Sequence, residues 1–312
     1  MPTAADTFKY IDPDQYQEHV DEERRVFNPD LYTPSLIEKT GAGLRYVLDA
    51  QQLRVERAVG RNVWDFTVAL VNELGQEHGS ARVLSLGSGP GGAEISLAGR
   101  FAVPYEFDCI DINEQSLQLG QARADEQGLR LHFQQQDINQ IELAPNTYDV
   151  VFAHASLHHM VNHEYIAEQV HQALKAHGQF VVYDVTARNG LQMWDDTKEI
   201  ANRLFRMLPA PYRSDGEGNL ESLPEGEAVP QGFECIRSQD LYGVLVDQFQ
   251  VRAEVPGFAF ARRFVDHPFD DNYDVEGNPF DKAILDTLLR LDEEFSTRYQ
   301  LRPEAVFLVL TR

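Results

Sequence analysis

One stretch limits the possible folds of this chain more than any other. Val83-Leu84-Ser85-Leu86 is a short apolar run that stops at Gly87-Ser88-Gly89-Pro90-Gly91-Gly92, and a helical pattern from Ala93 to Gly99 follows at once. An apolar run of that length bounded by glycines reads as a buried strand. Glycines in such a turn let the backbone reverse tightly and approach a ligand, and the next helix offers its N-terminal N–H groups. The same punctuation then repeats. Phe107 to Asp111 reads as a second strand, and Asn113 caps a helix to about Glu126. Leu131-His132-Phe133 is a third strand and Tyr148 to Ala153 a fourth. A histidine-rich helix to about Ala176, ended by Gly178, leads to a fifth strand, Gln179 to Val185. Strand and helix alternating with short connections predict an α/β, Rossmann-like fold, with helices on both faces of a mostly parallel sheet.

The flanks read differently. Residues 1–80 are mostly helical and form an N-terminal cap. Asp12 to Arg25 is polar and acidic; Leu36, Ile37, Leu44, Val47 and Leu48 recur at helical spacing, as do Val63, Phe66, Leu70 and Val71. Gly41 and Gly43 break the first apolar run, and Gly75 and Gly79 bound the second. The nucleotide-binding core spans 81–187, and a lid or substrate-pocket insertion spans 188–248. That insertion holds a helix from Met193 to Leu208, an acidic loop over 214–230, and a helix capped by Ser238 that runs to Gln248. Residues 249–312 add a strand (Phe249 to Phe260), a helix (Ala283 to Tyr299) and a last strand (Ala305 to Thr311).

Asp111 lies 19 residues past Gly92, at the end of the second strand, where a carboxylate accepts hydrogen bonds from ribose hydroxyls. That suits a nicotinamide dinucleotide and S-adenosylmethionine equally. Further motifs separate the two. Val83 to Gly91, Phe133-Gln134-Gln135-Gln136-Asp137-Ile138, Tyr148 through Leu157-His158-His159-Met160, and Leu174 to Phe180 together resemble the ordered motifs of class I S-adenosylmethionine-dependent methyltransferases. The resemblance implies a seven-stranded sheet, its last strand inserted antiparallel. It implies S-adenosyl-L-methionine as cofactor and S-adenosyl-L-homocysteine as product. It places the cofactor on Leu86, Gly87, Ser88, Gly89 and Gly91, with Asp111 and Ile112 at the ribose, Asp137 and Ile138 at the adenine, and His154 lining the pocket. A looser resemblance over 188–312 points to a bacterial subgroup of uncertain substrate. Part of that subgroup has Asn-Arg where this chain has Arg188-Asn189.

Methyl transfer from a sulfonium needs mainly positioning and exclusion of water. A hydroxyl acceptor also needs a base. His158, His159 and Asp184 are the candidates. Arg188 and Arg213 are candidate grips for an anionic acceptor, and Tyr10, Tyr16, Trp194, Phe205, Tyr212 and Phe258 are candidate pocket aromatics. No metal is expected. His154/His158 and His159/His163 have ligand spacing on a helix, but Ala167 stands where a zinc-protease motif needs histidine. Ala283 stands where a calcium loop needs an acid. The balance of 27 Lys+Arg against 50 Asp+Glu gives a net charge of −23, which argues against nucleic acid and anionic membrane as partners. Two cysteines make no disulfide framework, and no signal peptide or membrane-length apolar run is visible. The expected protein is cytoplasmic, with a small-molecule acceptor and room for a homodimer. O-methylation of a sugar or secondary metabolite is the leading reading. The alternatives are a cofactor-binding protein of the same fold with a regulatory or non-methylating role, and a nicotinamide oxidoreductase.

Overall fold

A computed structural model describes residues 2–28, 41–226 and 232–312. Seven strands form one sheet: β1 (Ala81–Leu86), β2 (Tyr105–Asp111), β3 (Leu131–Gln135), β4 (Tyr148–His154), β5 (Leu174–Val185), β6 (Gln250–Pro256) and β7 (Ala305–Thr311). Their order is β3-β2-β1-β4-β5-β7-β6. The first five run parallel, and β7 enters antiparallel between β5 and β6. The seven-stranded sheet expected from the motifs is therefore present, with its inserted last strand.

Around the sheet lie α1 (Pro13–Val26), α2 (Ala42–Val59), α3 (Val63–His78), α4 (Gly92–Ala98), α5 (Glu114–Glu126), α6 (His163–Ala173), α7 (Asp195–Met207), α8 (Ser238–Gln248) and α9 (Pro279–Tyr299). One buried cluster joins α6 and α8 to one face of the sheet, through Ile166, Val170, Phe180, Leu241 and Leu308. A second joins α3 and α4 to the other face, through Val71, Ile95, Val83, Phe152 and Phe307. Strands covered on both faces carry near-continuous apolar runs, as β1 and β4 do. A third cluster packs α2, α7 and α9 together around Phe205, Phe264, Phe269 and Leu285.

Four departures from the sequence reading have local causes. The sixth helix stops at Ala173, because Leu174 already pairs with Tyr148 in the ladder. Gly178 thus lies inside a strand, where a Cβ would meet Tyr148 O at 2.8 Å. Gly75 and Gly43 lie within helices instead of bounding them; added Cβ atoms there would meet Val103 at 2.4 Å and the Tyr273 ring at 3.1 Å. Both glycines serve close packing. α9 starts four residues before Ala283, because Asn278 caps it with Pro279 at the first helical position. Ser238 is the first residue of α8, not its cap, and its hydroxyl donates to Ala187 O at 2.9 Å. Residues 35–40 and 227–230, read as part of a helical run and of the acidic loop, lie outside the described residues. Among the described residues no helix is long and apolar enough to cross a membrane.

Candidate active site

The glycine turn after β1 is built by backbone bonds from the neighbouring strand. Gly87 N and Ser88 N both donate to Ile110 O, at 2.8 and 3.0 Å. Gly87 has φ +74, and a Cβ there would come within 2.5 Å of Ser156 Cβ, so the position is closed to a side chain twice over. Gly89 has φ +51 and open space where a Cβ would stand, which leaves its backbone bare toward the cavity. Its N–H donates to Asp111 Oδ2 at 2.8 Å, and Asn113 N–H donates to Oδ1 at 2.8 Å. Burial raises the Asp111 pKa above the ordinary carboxylate value, against these two bonds.

A cavity of about 960 Å³ opens beside this turn. Gly87, Ser88 and Gly89 line it, with Asp111, Ile112, Asp137, Ile138 and His154. Eight of the ten residues assigned to the cofactor thus share one cavity. Leu86 and Gly91 do not line it: Leu86 is buried in the sheet core, and Gly91 supports the turn, where a Cβ would strike the Phe133 ring at 2.5 Å. His154 stands edge-on to Trp64 and stacks on Tyr183, and burial lowers its pKa, so it presents a neutral ring. Asp137 Oδ2 accepts from Tyr16 Oη at 2.6 Å. The tyrosine expected among acceptor-pocket aromatics instead ties α1 to Asp137. None of the six aromatics singled out in the sequence lines the cavity. Phe205 and Tyr212 are core residues, and Trp194 lies under Arg302. Arg188 and Arg213 are paired with Asp195 and Glu221, away from the cavity.

Glu94, one turn into α4, lines the same cavity although 3% exposed. Burial pushes its pKa up to about 7, against the Ser85 hydroxyl, which donates to Oε1 at 2.7 Å. The sequence held one trace of this pair: Ser85 is a hydroxyl inside an apolar strand and needs a buried partner.

At the far end the three base candidates separate by role. Asp184 is buried and accepts from Ser156 N, Leu157 N and Val185 N at 2.9, 2.8 and 2.7 Å. His158 Nδ1 adds a fourth contact at 2.6 Å. Burial works against the charge on both groups, but their mutual attraction raises the His158 pKa and lowers that of Asp184. Asp184 therefore positions His158 and the turn before it, and neither lines the cavity. His159 does line it. Its Nε2 lies 3.1 Å from Glu234 Oε2. Its Nδ1 lies 3.0 Å from Glu23 Oε1, close but without the alignment of a hydrogen bond. The i,i+4 histidine pairs do not form, because Leu157–His159 is a 3-10 turn and α6 begins only at His163. Glu23 and Glu234 come from α1 and from the approach to α8, and no sequence spacing announced them.

Residues 77–231 match the family described as a methyltransferase domain. No match is found among curated proteins. Among solved structures, the cyclase SpnF is 18% identical, over 80% of this chain and 81% of that one, with a TM-score of 0.45. An S-adenosylmethionine-dependent methyltransferase from Mesorhizobium loti is 14% identical, over 75% and 92%, with a TM-score of 0.43. Geranyl diphosphate C-methyltransferase from Streptomyces coelicolor A3(2) is 12% identical, over 77% and 74%, with a TM-score of 0.45. With the strand order and the glycine turn described above, the match over 77–231 shows that this chain carries a class I S-adenosylmethionine-dependent methyltransferase domain.

Proposed function

We propose that the protein is an enzyme that methylates a small, neutral or cationic molecule, with a hydroxyl oxygen as acceptor. One observation carries this reading: a single cavity reaches from the glycine turn, Asp111 and Asp137 to His159, Met160 and Phe233. Its volume of about 960 Å³ stands at the upper end of the range for small-ligand pockets, roughly 300–1,000 Å³, and leaves room for two small molecules side by side. Glu23, Asp65, Glu94, Asp111 and Asp137 line it against two arginines, Arg100 and Arg123. Arg100 is already paired with Asp65. Such a wall favours the cationic sulfonium and disfavours a polyanionic acceptor.

The transfer is an in-line displacement. An oxygen lone pair forms the new O–CH3 bond as the S–CH3 bond breaks, and that electron pair stays on sulfur as a neutral thioether. The hydroxyl proton passes to the carboxylate and imidazole groups at the His159 end. Glu23 of α1 and Phe27, which caps it, line that end, where exclusion of water would favour the transfer. Incubation with S-adenosylmethionine and a panel of saccharides, polyols and phenols tests the reading. Release of S-adenosylhomocysteine that depends on a neutral hydroxylated acceptor is the expected result. Cofactor binding without release on any acceptor, or transfer to nucleic acid, would overturn it.

A further inference from the structure

We infer that His158, His159 and Glu234 form a binding site for one divalent first-row transition-metal ion at the acceptor end of the cavity. The donors of the three residues lie within 4.8 Å of one another. Nε2 of His158 is 3.4 Å from Glu234 Oε1, and Nε2 of His159 is 3.1 Å from Oε2. Donors held about 2.0–2.2 Å from a tetrahedral ion are themselves about 3.3–3.6 Å apart. Each imidazole nitrogen already stands at about that distance from one oxygen of the same carboxylate, and a small shift of the Glu234 side chain brings one oxygen to both.

The far sides of the rings agree. Nδ1 of His158 sits 2.6 Å from Asp184 Oδ1, and Nδ1 of His159 sits 3.0 Å from Glu23 Oε1. Metal-binding histidines are commonly backed by a carboxylate in this way, which fixes the tautomer that leaves Nε2 free to bind. His158 has that backing as a hydrogen bond, His159 has the Glu23 carboxylate near its Nδ1 without one, and both rings turn Nε2 toward the same glutamate. The backing groups are themselves anchored. Asp184 holds three backbone N–H groups, and Glu23 Oε2 accepts from Phe233 N at 3.0 Å. Cys235 N donates to His158 O at 3.0 Å, which ties the glutamate's segment to the histidine turn. Cys235 is held at φ +51 to make that turn, a conformation that costs a residue with a Cβ.

Charge points the same way. Asp184, Glu234 and Glu23 bring three carboxylates against two imidazoles. A dication would offset that excess of carboxylate charge. Two nitrogens and one carboxylate suit Zn2+, Fe2+, Mn2+ or Co2+, whereas Mg2+ and Ca2+ take oxygen ligands. Glu23 and His159 line the cavity, so the site borders it. Under the methyltransferase reading, an ion there holds the acceptor oxygen and eases loss of its proton. The ion site itself does not depend on that reading.

The test uses the full chain, stripped with chelator and dialysed, then titrated with Co2+ followed by visible absorption and with Zn2+ by calorimetry. The expected result is one equivalent of each. Glu234→Gln and His159→Ala should each weaken binding at least tenfold, the lower end of the roughly 10–100-fold loss seen when even a supporting group is removed. His132→Ala, on the exposed edge beside Glu106, should leave binding unchanged. No uptake by the unaltered protein, or uptake unchanged in both ligand variants, would overturn the proposal. A parallel titration with S-adenosylhomocysteine reports on the fold of each variant. Cobalt uptake without S-adenosylhomocysteine binding would sink the methyltransferase reading and leave the ion site standing.

Discussion

Glu94 is a buried carboxyl, held by the Ser85 hydroxyl and pushed up to about 7 by burial. Its value in the unfolded chain is 4.5. Between these values the folded protein holds a proton that the unfolded chain has lost. The stability this group contributes is therefore full below pH 4.5 and lost as pH rises to about 7, at about 1.4 kcal/mol per unit. Glu94→Gln should flatten that slope. Denaturant titrations at about pH 5 and about pH 8 check it, and a variant that follows the unaltered protein at both would contradict it. Asp111 gives a second test at this scale. Asp111→Ala removes the acceptor for two backbone N–H groups and the ribose partner together, and each bond to a charged acceptor is worth about 1.5–3 kcal/mol. Affinity for S-adenosylhomocysteine should fall at least about 100-fold with the fold retained; unchanged affinity by calorimetry would end the ribose assignment. The sequence marked Asp111 and the glycine turn because spacing fixes them to strand ends. Glu23 and Glu234 stayed hidden because long-range packing, not spacing, brings them to His159.

At the scale of elements, α1 is the piece that completes the cavity. Tyr16 reaches Asp137, Glu23 reaches His159 and Phe233, and His19 Nδ1 lies 2.6 Å from Gly232 O. Tyr16→Phe removes one of these ties, a bond to a charged acceptor, and should cost about 1.5–3 kcal/mol. Amide exchange over Pro13–Val26 should quicken in that variant and slow when S-adenosylhomocysteine binds. Exchange indifferent to both would mean that α1 does not close the site. The alternating core was legible because apolar strands, glycine turns and asparagine caps are local signals. Ala305–Thr311 was read to the residue for the same reason. Gly43, Gly75 and Gly178 misled because a glycine used for close packing looks, in sequence, like one that ends an element. The histidine-rich stretch misled in the opposite sense. A helical repeat was visible, but the 3-10 turn that aims His158 and His159 at one glutamate depends on Asp184, 25 residues past His159 in the chain.

For the whole molecule, the charge of −23 acts on stability as well as on partner choice. Self-repulsion at that charge weakens the compact state, and salt screens it over about 10 Å at 0.1 M and about 3 Å at 1 M. The melting temperature should therefore rise with added KCl; a steady fall would show that exposed ion pairs such as Lys282–Asp286 outweigh the net repulsion. The same excess of acid lines the cavity, where it suits a cationic cofactor. Binding of this family's cofactor in that cavity is the centre of the account, and calorimetric titration with S-adenosylhomocysteine against NADH tests it most directly. The account predicts one equivalent of S-adenosylhomocysteine bound and no heat from NADH. NADH binding, or no binding of S-adenosylhomocysteine by folded protein, would contradict it.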